Sequence, residues 1–154
     1  MQTHLAQVNI GKIVASIDSP VMADFVANLD PINALAEQSD GFIWRLKDDG
    51  TNNATSITMY GDPAIIVNMS VWKDFDSLFQ YVYKSKHVDF FKRRSEWFQK
   101  MPEMYVALWY VPVGHTPTVA EAQARIDHLR KHGETDYAFT FKRKHLVKNI
   151  QQPG

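Results

Sequence analysis

At 154 residues, 45% of them hydrophobic, 22% charged and 12% aromatic, the chain has the make-up of one folded domain. A chain of this length buries roughly two-thirds of its unfolded surface without a disulfide or metal staple. Seventeen Lys+Arg balance seventeen Asp+Glu, so no whole-chain field recruits nucleic acid or anionic lipid, and the absence of cysteine removes thiol nucleophiles, zinc-thiolate sites and disulfides together.

The N-terminal MQTHLAQVNIGK has no charged region followed by an apolar one, and no apolar run approaches the roughly 18–20 residues of a membrane span, so a cytoplasmic chain without a membrane partner is expected. Residues 4–10 alternate as a strand, with Ala6, Val8 and Ile10 on one face and Leu5, Gln7 and Asn9 on the other. Ser19-Pro20 reads as an N-cap and first-turn proline, after which Met22, Phe25, Val26, Leu29, Ile32, Leu35 and Ala36 recur at helical spacing. Asp30-Pro31 should kink or restart that helix. Beyond Gly41, FIWRL (42–46) reads as a second strand, and the polar stretch 48–63 holds turns and a short strand near Ser56 to Met59.

The segment AIIVNMSVW (64–72) reads as the strongest strand: Ile65, Val67, Met69 and Val71 form an apolar face, while Ala64, Ile66, Asn68, Ser70 and Trp72 form the other. Helical patterns follow at 74–84 and 86–100, then a strand at 104–111. A final helix begins on the capping box Thr118 to Glu121 and ends at Gly133. Residues 137–141 alternate as a terminal strand. One domain over 1–141 is expected, with 142–154 a basic, loosely ordered tail. Strands with one purely apolar face imply an α+β protein, its helices on one face of a mostly antiparallel sheet. The second face, bearing Gln7, Asn9, Asn68, Ser70 and Trp72, is too polar for a dry core, so it should meet a cavity or a second copy.

The basic, aromatic run YVYKSKHVDFFKRRSEWF (81–98) invites a nucleic-acid reading, but a helical wheel divides it. Lys92 and Arg93 interleave with Asp89 and Glu96 on a solvated face, whereas nucleic-acid binding needs a net basic patch. Phe90, Trp97, Phe98, Phe91 and Val88 share the other arc with His87 and Arg94, which lie on one line two turns apart. An ionisable pair there must be hydrogen-bonded or face a wet pocket. His87 is then either a satisfied packing residue or a group at a pocket rim that can serve as base, donor or iron ligand. Trp72 and Trp109 divide in the same way between packing and pocket walls. No glycine-rich phosphate loop, GxSxG elbow, HExxH or EF-hand loop is present, and His128 and His132, four apart on the last helix, lack a third metal ligand at helical spacing, so no metal is expected.

The segments HLAQVNI (4–10), FVANLDPINALAEQSDGFIWRL (25–46), NMSVWKDFDSLFQYVYKSKH (68–87), RRSEWF (93–98) and LWYVPVGHTPTVAEAQARIDHLRKHGETDYAFTF (108–141) resemble the bacterial domain-of-unknown-function family numbered 3291. That family is similar to the dimeric α/β-barrel superfamily, in which two ferredoxin-like protomers pack their open sheet faces together. The resemblance implies a ferredoxin-like homodimer with an extra C-terminal helix. Within the superfamily, antibiotic-biosynthesis monooxygenases oxidise polycyclic phenols with oxygen and no cofactor, using an asparagine and a tryptophan four residues apart on a cavity strand; Asn68 and Trp72 stand in that relation. Haem-degrading members use a first-strand asparagine, a later-strand tryptophan and a helix histidine, parts that Asn9, Trp72 and His87 would take.

The resulting expectation is a cofactor-independent monooxygenase-like enzyme acting on a small apolar, aromatic or quinone-type molecule. His87, Asn68 and Trp72 are its catalytic candidates, and Asn9, Gln7, Ser70, Arg94 and Trp109 its substrate-binding candidates. The alternatives are a haem-binding or haem-degrading protein and a non-catalytic small-ligand-binding domain.

Overall fold

The computed structural model describes residues 2–47, 55 and 57–143. Strand β1 (Thr3–Lys12) leads through a short 3-10 turn, with Pro20 in its first turn, into helix α1 (Ala23–Glu37). Strands β2 (Phe42–Arg45) and β3 (Ile65–Trp72) follow, then helices α2 (Phe75–Lys84), α3 (His87–Lys92) and α4 (Arg94–Trp97). Strand β4 (Val106–Pro112) and helix α5 (Val119–His132) complete the order. Every pairing is antiparallel and the strands lie in the order β2-β3-β1-β4. A β-α-β-β-α-β chain on such a sheet is the ferredoxin-like α+β fold.

The helix ends follow local chemistry. Asp74 accepts the Ser77 N–H at 2.8 Å to open α2, and Thr118 Oγ1 accepts the Glu121 N–H at 3.1 Å to open α5. Gly133 closes α5 with φ 75°, a left-handed conformation that glycine adopts without steric penalty. Helix α1 runs through Pro31 without the expected restart: Pro31 and Ala27 are both exposed, so the Ala27 carbonyl, which loses its intrahelical donor, lies on the solvent side. The single helix expected over 86–100 is two, divided at Arg93. The division follows from the end of β1, which draws this chain down: Val14 N–H donates to Trp97 O and Gln99 N–H to Lys12 O, while Phe98 turns extended and bridges Ile13.

The short strand expected near Ser56 to Met59 falls partly outside the described residues, and Met59 makes only an isolated bridge to Asp62. The expected strand at 137–141 is likewise one bridge, Phe139 to Leu108, and residues 144–154 of the expected tail lie outside the described part.

The layering corrects one expectation. Helices α1 to α4 cover the mixed face of the sheet, not the apolar one. Ala36 of α1 and Phe75 and Leu78 of α2 pack with Leu5, Trp72 and Leu108, while Phe25, Met22 and Trp97 pack at the far end beside Ile66 and Phe98. The apolar face, with Ala6, Val8, Ile10, Val67, Met69 and Val71, is buried by Ala122, Ile126 and Leu129 of α5 together with Met59. The physical reason is capacity: α5 offers one narrow apolar stripe that a dry strip of Val, Ile and Met fills. The polar residues of the mixed face need a partner layer that leaves a gap. Both sheet faces are thus covered within one chain, which removes the reason for expecting a second copy on the polar face. No helix among the described residues is long and apolar enough to cross a membrane.

Candidate functional site

Antiparallel register lays the polar residues side by side. Asn9 pairs with Asn68, Gln7 with Ser70 and Leu5 with Trp72 across β1 and β3, all on the face toward α1 to α4. Because side chains alternate with period two, a one-residue slip would send this whole row into the α5 core. Within the row, Gln7 Nε2 donates to Asn68 Oδ1 at 2.8 Å and to Ser70 Oγ at 2.7 Å. Asn9 Nδ2 donates to Gln7 Oε1 and Asn68 Oδ1, both at 3.2 Å, and Trp72 Nε1 donates to Ser70 Oγ at 2.8 Å. With the amides oriented by this network, Asn9 Oδ1 and Asn68 Nδ2 have no partner among the described residues, so the row presents one acceptor and one donor outward.

Over the row lies a cavity of about 260 Å³, bounded by the helices and open to solvent where Asn68 and Phe91 are exposed. Its floor includes Gln7, Asn9, Gly11 and Asn68; its walls are mainly apolar and aromatic, among them Tyr81, Phe91, Trp97 and Phe98; His87 and Arg94 also line it. A concave, mostly apolar space with a few convergent polar groups is the usual form of a small-molecule site, and this one, about 260 Å³, falls just below the usual range of roughly 300–1,000 Å³.

His87 opens α3. Its backbone N–H donates to Ser85 Oγ at 3.1 Å, and its ring Nδ1 lies 3.2 Å from the Val82 carbonyl. A carbonyl can only accept, so Nδ1 carries the proton and Nε2 the lone pair. The ring sits 4.8 Å from Tyr81 and 6.2 Å from Phe91. Burial among these rings holds the imidazole pKa below its ordinary value, against a smaller opposing effect of the Val82 carbonyl, so the neutral form dominates at pH 7. Burial also raises the Tyr81 phenol well above its ordinary value and keeps it protonated; its hydroxyl faces the Ile32 carbonyl at 3.3 Å. Arg94 Nη2 donates to the Ile10 carbonyl at 2.9 Å, with its guanidinium 4.7 Å from the Phe98 ring and 4.6 Å from Tyr105. Gly11 permits this arrangement: a Cβ there would fall 2.4 Å from Phe98 Cδ1.

Gln7, Asn9, Asn68, His87 and Arg94 therefore meet at one cavity, although the helix expected to align His87 with Arg94 is broken. Ser70 and Trp72 do not line it. They stand behind the row, Trp72 fully buried and stacked 5.0 Å from Tyr81, and act by positioning Gln7 and Asn68. Trp109 requires a correction: opposite Ala6 in register, it faces α5, where its Nε1 donates to Glu121 Oε2 at 2.8 Å, and it does not reach the cavity. The wheel placed Trp97 and Phe98 on the right arc without marking them as walls. Tyr81 and Tyr105 carried no signal, because what brings them to the cavity is tertiary. The His128 and His132 rings lie 4.7 Å apart, tilted by 43°, but His128 Nε2 lies 2.8 Å from Thr135 Oγ1, and no group of three metal-ligating side chains occurs among the described residues.

Two solved structures are similar at low identity. PA3566 from Pseudomonas aeruginosa aligns with TM-score 0.47 and 15% identity over 72% of this chain and 94% of its own. The NE2512 protein of unknown function from Nitrosomonas europaea aligns with TM-score 0.48 and 14% identity over 76% and 97%. Likeness at this level assigns no function. No curated protein matches the chain. A family model described as Domain of unknown function (DUF3291) matches residues 4–153, and the chain belongs to that family.

Proposed function

We propose that this protein binds a small aromatic or quinone-type molecule in the cavity between its amide row and its helices, and oxidises it as a cofactor-independent monooxygenase. The observation that carries the reading is the convergence, in one aromatic-walled space of about 260 Å³, of two unengaged amide groups and a neutral imidazole whose lone pair is on Nε2. Tyr81, Phe91, Trp97 and Phe98 supply flat apolar walls for a ring. Asn68 Nδ2 and Asn9 Oδ1 supply a donor and an acceptor for its oxygen substituents. His87, neutral at pH 7, accepts a proton from an activated ring methylene or phenol.

The proposed reaction balances without a cofactor. His87 takes a proton from a ring methylene, and the resulting enolate is held through its oxygen by Asn68. The enolate electrons reduce dioxygen and form a carbon-oxygen bond, and the resulting peroxide anion takes back the proton held by His87, giving a hydroperoxide and the neutral imidazole. Loss of water from that hydroperoxide leaves a quinone carbonyl, so R2CH2 and O2 become R2CO and H2O. Trp72 contributes through Ser70 rather than by contact with the substrate. Haem fits poorly: pockets for drug-sized ligands run upwards of about 300 Å³, and a porphyrin, larger than such ligands, exceeds a cavity of about 260 Å³. A homodimer, implied by the superfamily resemblance, would leave the site unchanged, since residues of one chain line the cavity; with both sheet faces covered, it would pair through edge strand β2, where Ile43 is exposed.

Oxygen uptake on adding a panel of anthrone-like and hydroxynaphthalene phenols tests the reading. Turnover that is lost in Asn68→Ala and falls at least tenfold in His87→Gln supports it. Binding of the same phenols without uptake would make the protein a non-catalytic binding domain, and absence of both would remove the reading.

A further inference from the structure

Charge around the cavity is unbalanced. Among its described lining residues Arg94 is the only ionised side chain at neutral pH; no aspartate, glutamate or lysine joins it. Three other arginines meet carboxylates, whereas Arg125, outside the cavity, donates to the Tyr137 carbonyl at 2.8 Å and lies over the Tyr137 and Trp109 rings. Arg93, the adjacent residue, is bound to both Asp24 and Glu96, at 2.8 and 2.9 Å. Arg45 lies 3.5 Å from Glu37, and Arg130 lies 3.2 Å from Glu103. Arg94 has no carboxylate within 4 Å among the described residues; its partners are the Ile10 carbonyl, the Tyr105 side chain, which contributes both its ring face and a hydrogen bond, and the face of Phe98.

A guanidinium stays protonated at neutral pH and carries five N–H donors in a planar fork suited to two oxygens of an anion. Removing such a charge from water without an opposite charge is costly, and a carbonyl, a tyrosine side chain and a phenylalanine face compensate only part of it. The ring faces, 4.7 and 4.6 Å from the guanidinium, also restrict its rotation.

We infer that the cavity takes its ligand as a monoanion: an aromatic ring bearing one carboxylate or phenolate group, seated against the Arg94 fork. This rests on the proposed binding of a small aromatic in the cavity and narrows it. The ring occupies the aromatic walls, its anionic oxygens meet Arg94, and Asn9 and Asn68 meet a polar substituent elsewhere on the ring. A neutral ligand of the same shape leaves the guanidinium without an opposite charge, and a cationic one is repelled.

Isosteres test this on the unmodified protein. Calorimetric titration with 2-naphthoate, 2-naphthamide and 2-naphthylmethylammonium compares three ligands of one shape and different charge. The expected order is naphthoate at least tenfold tighter than naphthamide, with the ammonium compound not binding. In Arg94→Gln the preference for naphthoate over naphthamide disappears, and in Arg94→Lys, which keeps the charge without the fork, part of it returns. 4-Nitrophenol, titrated above and below its own ionisation, shows whether a phenolate serves as well as a carboxylate: tighter binding of the ionised form assigns both sources, and equal binding restricts the site to carboxylates. Equal affinity of naphthoate and naphthamide, or tighter naphthamide, overturns the inference and leaves aromatic binding intact. If none of the probes binds, both fall.

Discussion

Replacing Ser70 by alanine removes one oxygen from behind the amide row and separates the account of that row from simple packing. Ser70 Oγ accepts from Trp72 Nε1 at 2.8 Å and from Gln7 Nε2 at 2.7 Å. Trp72 is 0% exposed, so its indole N–H, which can only donate, is left buried without an acceptor, a loss of about 1–3 kcal/mol. Gln7 keeps its bond to Asn68 Oδ1 at 2.8 Å and loses only one of two, about 1 kcal/mol. Ser70→Ala should therefore cost about 2–4 kcal/mol. At roughly 2–4 °C per kcal/mol for a chain of this size, the melting midpoint falls by about 4–16 °C. In a Trp72→Phe background the orphaned donor no longer exists, so the same substitution should cost only the Gln7 part, about 1 kcal/mol. Urea unfolding of the four proteins, followed by far-ultraviolet circular dichroism, measures both values. If Ser70→Ala costs the same in both backgrounds within about 0.5 kcal/mol, Trp72 does not depend on Ser70 and the positioning role assigned to it is wrong.

Gly11→Ala places a methyl group 2.4 Å from Phe98 Cδ1, so Phe98 must move and with it the wall beneath Arg94. Overpacking of this kind costs about 1–3 kcal/mol, and denaturant midpoints together with a loss of ligand affinity check it. Acid should destabilise the protein through His87. Burial lowers its folded pKa below the unfolded value, so the unfolded chain binds the extra proton first, and stability present above about pH 6.5 declines as pH falls toward the folded pKa. In His87→Gln the slope of stability against pH between about 6.5 and 5 should be shallower; an unchanged slope would show that the imidazole is not buried as described.

Much of the fold was legible because it rests on local signals. The Thr118 to Glu121 capping box and Gly133 placed α5 to the residue; Pro20 stands in the first turn of the 3-10 segment before α1, but Ser19 makes no side-chain cap bond and α1 itself begins at Ala23; and period-two alternation placed β1 and β3 and sorted Gln7, Asn9 and Asn68 onto one face. What the alternation could not show is which layer covers which face. A mixed face and an apolar face each accept helices, and only tertiary packing assigns α5 to the apolar one. The same limit misplaced Trp109, whose strand position says nothing about the direction of the cavity. The helical wheel joined His87 to Arg94 for a reason that does not hold, since the helix breaks at Arg93, yet both line the cavity because Trp97 and Phe98 anchor the second segment on β1. Tyr81 and Tyr105 were out of reach of sequence reasoning, as each is brought to the site by a long-range contact.

The central claim is that a small aromatic lies over the amide row. The most direct measurement is a two-dimensional proton-nitrogen NMR titration that observes side-chain amides and indoles together. Adding a hydroxynaphthalene should shift the Asn68 and Asn9 amides and the Trp97 indole, which line the cavity, and leave the Trp109 indole, held by Glu121 on the opposite face, unmoved. Movement of Trp109 with the Asn68 amide and Trp97 indole still would place the ligand elsewhere and contradict the account.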